Sequence, residues 1–251
     1  MEGTIGAERK ITKVVVYRDG LMIALLAQRP LCLRTFSLIR VGTHLGQAFT
    51  LTTFAWLGVL ALLVGAWVTP RRRETLLACA GAASLGIAFG ISWASHSASR
   101  GTVALIADYA HLVAGALWAG GLVALLILLG VARPLSRSDR EALVLACLLR
   151  FSQLAVIIVG ALVLGGAYVA VRELPAPSAL VTSRFGVTLL LKTAVFSGAL
   201  ALGGVHRRVM VPRIAAGAPA ATIRRTLTVE ASLLLVALAF AAVLSQTAPP
   251  S

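Results

Sequence analysis

VALIADYAHLVAGALWAGGLVALLILLGV, residues 103–131, decides the fold. Its only acid is Asp108 and its only imidazole is His111. An α-helix needs about 20 predominantly apolar residues to cross a bilayer, and this run exceeds that length. Five further runs surround it. Gln47–Val68, Thr75–Ser95 and Phe151–Val171 carry no Asp, Glu, Lys or Arg, while Gly186–Val205 holds Lys192 and Leu227–Ser245 holds Glu230. In lipid each span must satisfy its own backbone hydrogen bonds, so these runs read as α-helices. A transmembrane barrel would need short alternating segments of about ten residues, and none occurs. The expectation is an all-α, polytopic transmembrane bundle of about six spans, occupying residues 46–251 after a basic segment, 1–45.

Composition agrees. Of 251 residues, 59% are hydrophobic and 13% charged, against about 45–50% and about 25% in soluble domains. A soluble enzyme, a disordered chain and a disulfide scaffold are excluded. The net charge of +14 does not point to nucleic acid, because the arginines fall between apolar runs rather than on one amphipathic face. Cys32, Cys79 and Cys147 are odd in number and have no CxxC spacing, which argues against a disulfide framework or a zinc site. Leu21–Ala27 is followed by Gln28, Arg29 and Pro30, not by the small residues of a signal-peptide cleavage site.

Charge between the spans predicts the orientation. Arg71–Arg73, then Arg133, Arg137, Arg140 and Arg150, then Arg207, Arg208, Arg213, Arg224 and Arg225 make twelve arginines on one side; Arg100, Arg172 and Arg184 make three on the other. The arginine-rich set is expected in the cytoplasm and the C-terminus outside. Residues 1–45 run against this count with seven Lys and Arg. A span at 21–40 would repair it but would bury Arg29 and Arg34 at about 2.5–3.5 kcal/mol each. An interfacial stretch and missing upstream spans are the alternatives, and the segment is left unassigned.

Polar groups within the spans are the candidate site. This topology places His44, His96 and His111 toward the outer face, His111 about 12 Å below the end of its helix. Three converging imidazoles suit copper or zinc; the plainer reading leaves His44 and His96 as interfacial residues. Asp108 lies one turn from His111 and is placed to orient its ring. Lys192 is expected at the depth of Asp108, either paired with it or extended toward the interface. Glu230 is expected near the cytoplasmic end, reaching the interface or pairing with Arg150 or Arg207. Gly86, Gly90, Gly160, Gly165 and Gly166 are expected to let helices approach closely. Cys79, Cys147, His206 and Met210 gather toward the inner side, where soft thiolate and thioether groups would suit a Cu(I) exit site; the plainer reading leaves the cysteines as small apolar residues.

From residue 92 to about 246 the chain resembles the copper resistance D (CopD) family of integral membrane proteins. The resemblance rests on His96-Ser-Ala, on ADYAHLVAGALWAGGLVALL (107–126), on RFSQLAVIIVGALVLGGAYVA (150–170), on SRFGVTLLLKTAVFSGALALGGVHRR (183–208), and on a last helix with Glu230. Ser95, Phe185 and His206 stand where the family usually has glycine, tyrosine and asparagine. The resemblance implies a plasma-membrane protein of copper uptake or tolerance. It carries His96, His111, Trp118, Lys192 and Glu230 onto this chain as ion-site or ion-path residues. Larger members have about eight spans.

Three functions follow as expectations. The first is copper transport, import or homeostasis through an outer site of His44, His96 and His111, with an extracytoplasmic copper-binding protein as partner. The second is a b-type electron carrier holding one haem between His111 and His44 or His96; His206 has no expected partner at its depth. The third is an assembly partner for a cuproenzyme that moves no copper itself. No Ser/His/Asp set or Gly-rich phosphate loop supports enzymatic chemistry.

Overall fold

A computed structural model of the protein describes residues 43–132 and 134–247. The segment 1–42, with the alternatives considered for it, and Arg133 lie outside the described residues. Thr43–Gln47 group with the N-terminal unit, and Ala48 onward forms the second unit. Among the described residues, six helices are long and apolar enough to cross a membrane. They are α1 (His44–Val68), α2 (Arg73–Ala94), α3 (Thr102–Val131), α4 (Arg137–Glu173), α5 (Arg184–Val205) and α6 (Arg224–Gln246). No strand occurs among the described residues.

The apolar runs fix the middle of each helix, and local polar groups fix the ends. Ser136 caps α4 by accepting from the Asp139 N–H at 3.2 Å, and Ser183 caps α5 by accepting from Gly186 N–H at 2.9 Å. Both satisfy donors that the first helical turn leaves unpaired. Gly101 opens α3 at φ 104°, a left-handed conformation that glycine adopts without a Cβ clash.

Two helices are longer than their apolar runs. α4 begins 14 residues before Phe151 and spans 37 residues, about 55 Å of helix against a hydrocarbon core of about 30 Å. Arg137, Arg140 and Arg150 thus lie on a helix that projects beyond the core, not in a loop. The sequence there is rich in Ala, Leu, Glu and Arg, which are good helix formers. Arg137 also pairs with Glu141 at 3.0 Å one turn on. Beyond Val205, α5 continues as one π turn, His206–Met210, and a further helical turn, Val211–Ala215.

Packing is uneven. α4 packs along α3, α3 on α6, and α6 along α5, with α2 against α3. The core between them is built from Ala114, Trp118, Leu122, Leu148, Ala199 and Leu227. Gly86 and Gly90 bring α1 onto α2 as the spacing predicts: a Cβ at Gly86 would meet Ala55 Cβ at 3.6 Å, and one at Gly90 would overlap Thr52. Many large apolar side chains, among them Phe54, Trp56, Ile157, Leu164 and Leu235, remain exposed. On a water-soluble protein such a surface would drive association; on spans of this length it is the face offered to lipid.

Candidate functional site

One side of α3 carries Asp108, His111, Gly115, Trp118 and Leu122 at alternating spacings of three and four. Such residues stack along one helical face. Two polar clusters lie on that stripe.

The first centres on His111, partly buried between α3 and α4. Its Nδ1 lies 2.9 Å from the carbonyl oxygen of Leu162. A carbonyl only accepts, so Nδ1 carries the proton and donates. In the neutral ring Nε2 therefore keeps its lone pair for a ligand. Gly165 and Gly166 make room for this arrangement: Cβ atoms there would stand 3.1 Å from His111 Cβ and 3.1 Å from its Cε1, respectively. Gly160, the third glycine of that set, has nothing within 4 Å. One turn before His111, Asp108 Oδ2 accepts from Ser95 Oγ at 3.1 Å.

Lys192 on α5 interacts electrostatically with both Asp108 and His111. It does not reach Asp108 as a contact ion pair; the pairs among the described residues are Arg100–Glu173, Arg137–Glu141 and His206–Glu230. The expected direct pair is thus a longer-range interaction. His44 opens α1, and His96 opens the short turn His96–Ser99. The His96 side chain lies outside the described ones, so the convergence of three imidazoles does too. Among the described residues no three His, Cys, Asp or Glu side chains stand together.

The second cluster corrects the expectation for Glu230. This carboxylate neither reaches the interface nor pairs with Arg150 or Arg207; it is 1% exposed. Trp118 Nε1–H donates to its Oε1 at 3.0 Å. His206 Nδ1 lies 2.7 Å from its Oε2, yet that oxygen has no hydrogen-bond partner. Arg207 turns away and donates to the Ser152 carbonyl at 3.2 Å. Trp118 also meets Phe196 edge to face, with ring centroids 5.4 Å apart. A Cβ at Gly203 would sit 3.4 Å from Glu230 Oε1, so glycine there lets α5 pass close to the carboxylate.

His206 is the residue the sequence reading missed as a partner. It lies past the end of the apolar run, in a stretch read as loop. The available signal was the spacing Lys192, Phe196, Ala199, Gly203, His206, which carries the α5 stripe one turn further.

α4 and α5 do not pack closely, and the space between them contains a cavity of about 260 Å³. Leu122, Leu148, Val159 and Leu200 supply apolar wall, and His206 and Glu230 polar wall.

Together these features define a polytopic helical membrane protein with two polar clusters buried between its spans. Residues 145–244 match the family model described as copper resistance protein D (CopD). The resemblance read over 92–246 thus holds for this stretch, which contains Lys192, His206 and Glu230 and excludes Asp108, His111 and Trp118. The copper transport protein CutJ of Bacillus subtilis (strain 168) is 28% identical over 123 residues, 48% of this chain and 22% of that protein. The match spans less than a quarter of that relative. No solved structure matches the chain.

Proposed function

We propose that the protein carries copper across or into the plasma membrane through His111. The observation that supports this most is the hydrogen bond from His111 Nδ1 to the Leu162 carbonyl, 2.9 Å. Metal-binding histidines characteristically donate their second nitrogen to a carbonyl or carboxylate, which fixes the tautomer and aims the other nitrogen. Imidazole is a good copper donor. The copper resistance D match and the copper transport relative point to the same substrate.

Asp108 lends negative charge one turn from the ring, and Lys192 opposes it. A fixed ammonium beside a metal position weakens retention of the ion, which suits passage rather than storage. In this reading His44 and His96 complete the ligand set at the outer face. The arginine-rich ends lie in the cytoplasm, the C-terminus lies outside, and an extracytoplasmic copper-binding protein delivers the ion.

Uptake of copper into vesicles of known orientation tests the proposal. His111→Ala is expected to abolish uptake at normal protein level, while His44→Ala and His96→Ala each weaken it. Full uptake by His111→Ala refutes the site. A Soret band in the purified protein would establish the single-haem reading instead.

A further inference from the structure

His206 Nε2 is buried and has no hydrogen-bond partner, although the residue is only 7% exposed. A buried polar atom without a partner costs about 1–3 kcal/mol and calls for an explanation. His206 lines the cavity between α4 and α5, whose volume is about 260 Å³. Water would not answer the need well, since a buried water uses two to four polar partners and most of this wall is aliphatic or aromatic. Arg207 on the wall is engaged with the Ser152 carbonyl, Glu230 Oε1 accepts from Trp118, and Glu230 Oε2 lies against His206 Nδ1 without a hydrogen bond. A metal ion would find one uncommitted nitrogen and one carboxylate oxygen, Glu230 Oε2, which already stands 2.7 Å from Nδ1 of the same ring; that is fewer than the roughly four donors a held ion takes.

The cavity also has a particular entrance. Val156 on its rim is 56% exposed, and Gly204 on the α5 side is exposed as well. Both lie on faces that spans offer to lipid, so an occupant arrives from the bilayer. Sites for drug-sized ligands run to about 300–1,000 Å³; this one is of single-ring size.

We propose that the cavity between α4 and α5 binds a lipophilic ring bearing a hydroxyl group, of the quinol class, with that hydroxyl hydrogen-bonded to His206 Nε2. A ring hydroxyl both donates and accepts, so it matches Nε2 in either protonation state. The ring packs among Phe151, Val159 and Leu200, and an alkyl tail leaves past Val156 into lipid. The close carboxylate of Glu230 on Nδ1 holds the imidazole at a fixed orientation. The proposal does not depend on the copper reading.

The test is binding of radiolabelled decyl-benzoquinol, kept reduced, to the full chain in lipid nanodiscs, with empty discs as the baseline. Saturable binding of one quinol per chain is expected. Decylbenzene, which lacks the hydroxyl, is expected to compete about tenfold less well, the equivalent of one hydrogen bond. His206→Leu should weaken binding by a similar factor. Ala155→Phe should abolish it by filling the cavity without touching the carboxylate. Uptake that only scales with lipid, equal competition by decylbenzene, or unchanged binding in both variants would each overturn the proposal. None of these readings involves copper, so failure here leaves the His111 site standing.

Discussion

Replacing Glu230 separates its charge from its shape. The carboxylate is 1% exposed and receives Trp118 Nε1–H at 3.0 Å, while His206 Nδ1 stands 2.7 Å from Oε2 without a hydrogen bond. Interhelical hydrogen bonds within membranes average about 0.6 kcal/mol and reach about 1.7 kcal/mol. A bond to a charged group belongs near the upper figure. Glu230→Leu removes the indole's acceptor, strands that buried donor and takes the carboxylate away from His206, so it is expected to destabilise the bundle by about 2–3 kcal/mol. Glu230→Gln keeps a carbonyl oxygen for Trp118 and is expected to cost about 1 kcal/mol. Reversible SDS unfolding in mixed micelles, followed by circular dichroism, measures both. Trp118 fluorescence should shift in the leucine variant, because the indole N–H loses its acceptor. A leucine variant as stable as the parent would refute the cluster, since lost contacts of this kind cannot be silent. Equal damage from glutamine and leucine would show instead that the negative charge, not the hydrogen bond, holds the site.

Three other outcomes are expected. In a chain with Cys32, Cys79 and Cys147 replaced by alanine, Ser178→Cys should label from outside intact cells and Arg137→Cys should not; the reverse pattern would invert the topology. Gly165→Ala should cost about 1–3 kcal/mol and lower copper uptake, because its Cβ would lie 2.9 Å from the Ala107 carbonyl oxygen. Gly160→Ala, with nothing within 4 Å, should be neutral or stabilise by about 1 kcal/mol. Asp108→Asn and Lys192→Met should together damage folded yield less than their separate effects predict, and strict additivity would show that the two charges act independently.

The number of spans and most of their boundaries were legible because hydropathy fixes the middle of a transmembrane helix to within a few residues. The N-terminal bounds of α4 and the continuation of α5 were not. The α4 extension is written in helix-forming but charged sequence, and the α5 continuation carries Arg207, Arg208 and Pro212; hydropathy is blind to a helix that leaves the hydrocarbon. The His111 hydrogen bond was half legible: Gly165 and Gly166 announced a close approach, but a backbone acceptor has no sequence signature. Glu230 was misplaced because depth was counted from the end of one helix alone. Seven positions into α6 it is deep enough to meet Trp118 from α3, and that meeting depends on how α6 lies against α3.

The two clusters share their walls, which constrains how an ion at one could reach the other. On α3 seven residues, about 10 Å, separate His111 from Trp118. On α5 fourteen residues, about 21 Å, separate Lys192 from His206, with Phe196, Ala199 and Gly203 between them on the stripe. Ala199 and Gly203 are small and leave space, but Trp118 and Phe196 fill it, edge to face at 5.4 Å. The indole is held by Glu230 at one end, and a Cβ at Gly203 would come within 4.0 Å of it at Cζ2. An ion bound at His111 therefore stands against an aromatic plug whose position is set by the second cluster. On the proposed route, passage from His111 toward the second cluster would require Trp118 to turn, and the Glu230 hydrogen bond would oppose that turn. If copper takes that route, Glu230 would govern access between the two clusters without itself having to touch the ion, a role for its burial beyond stability.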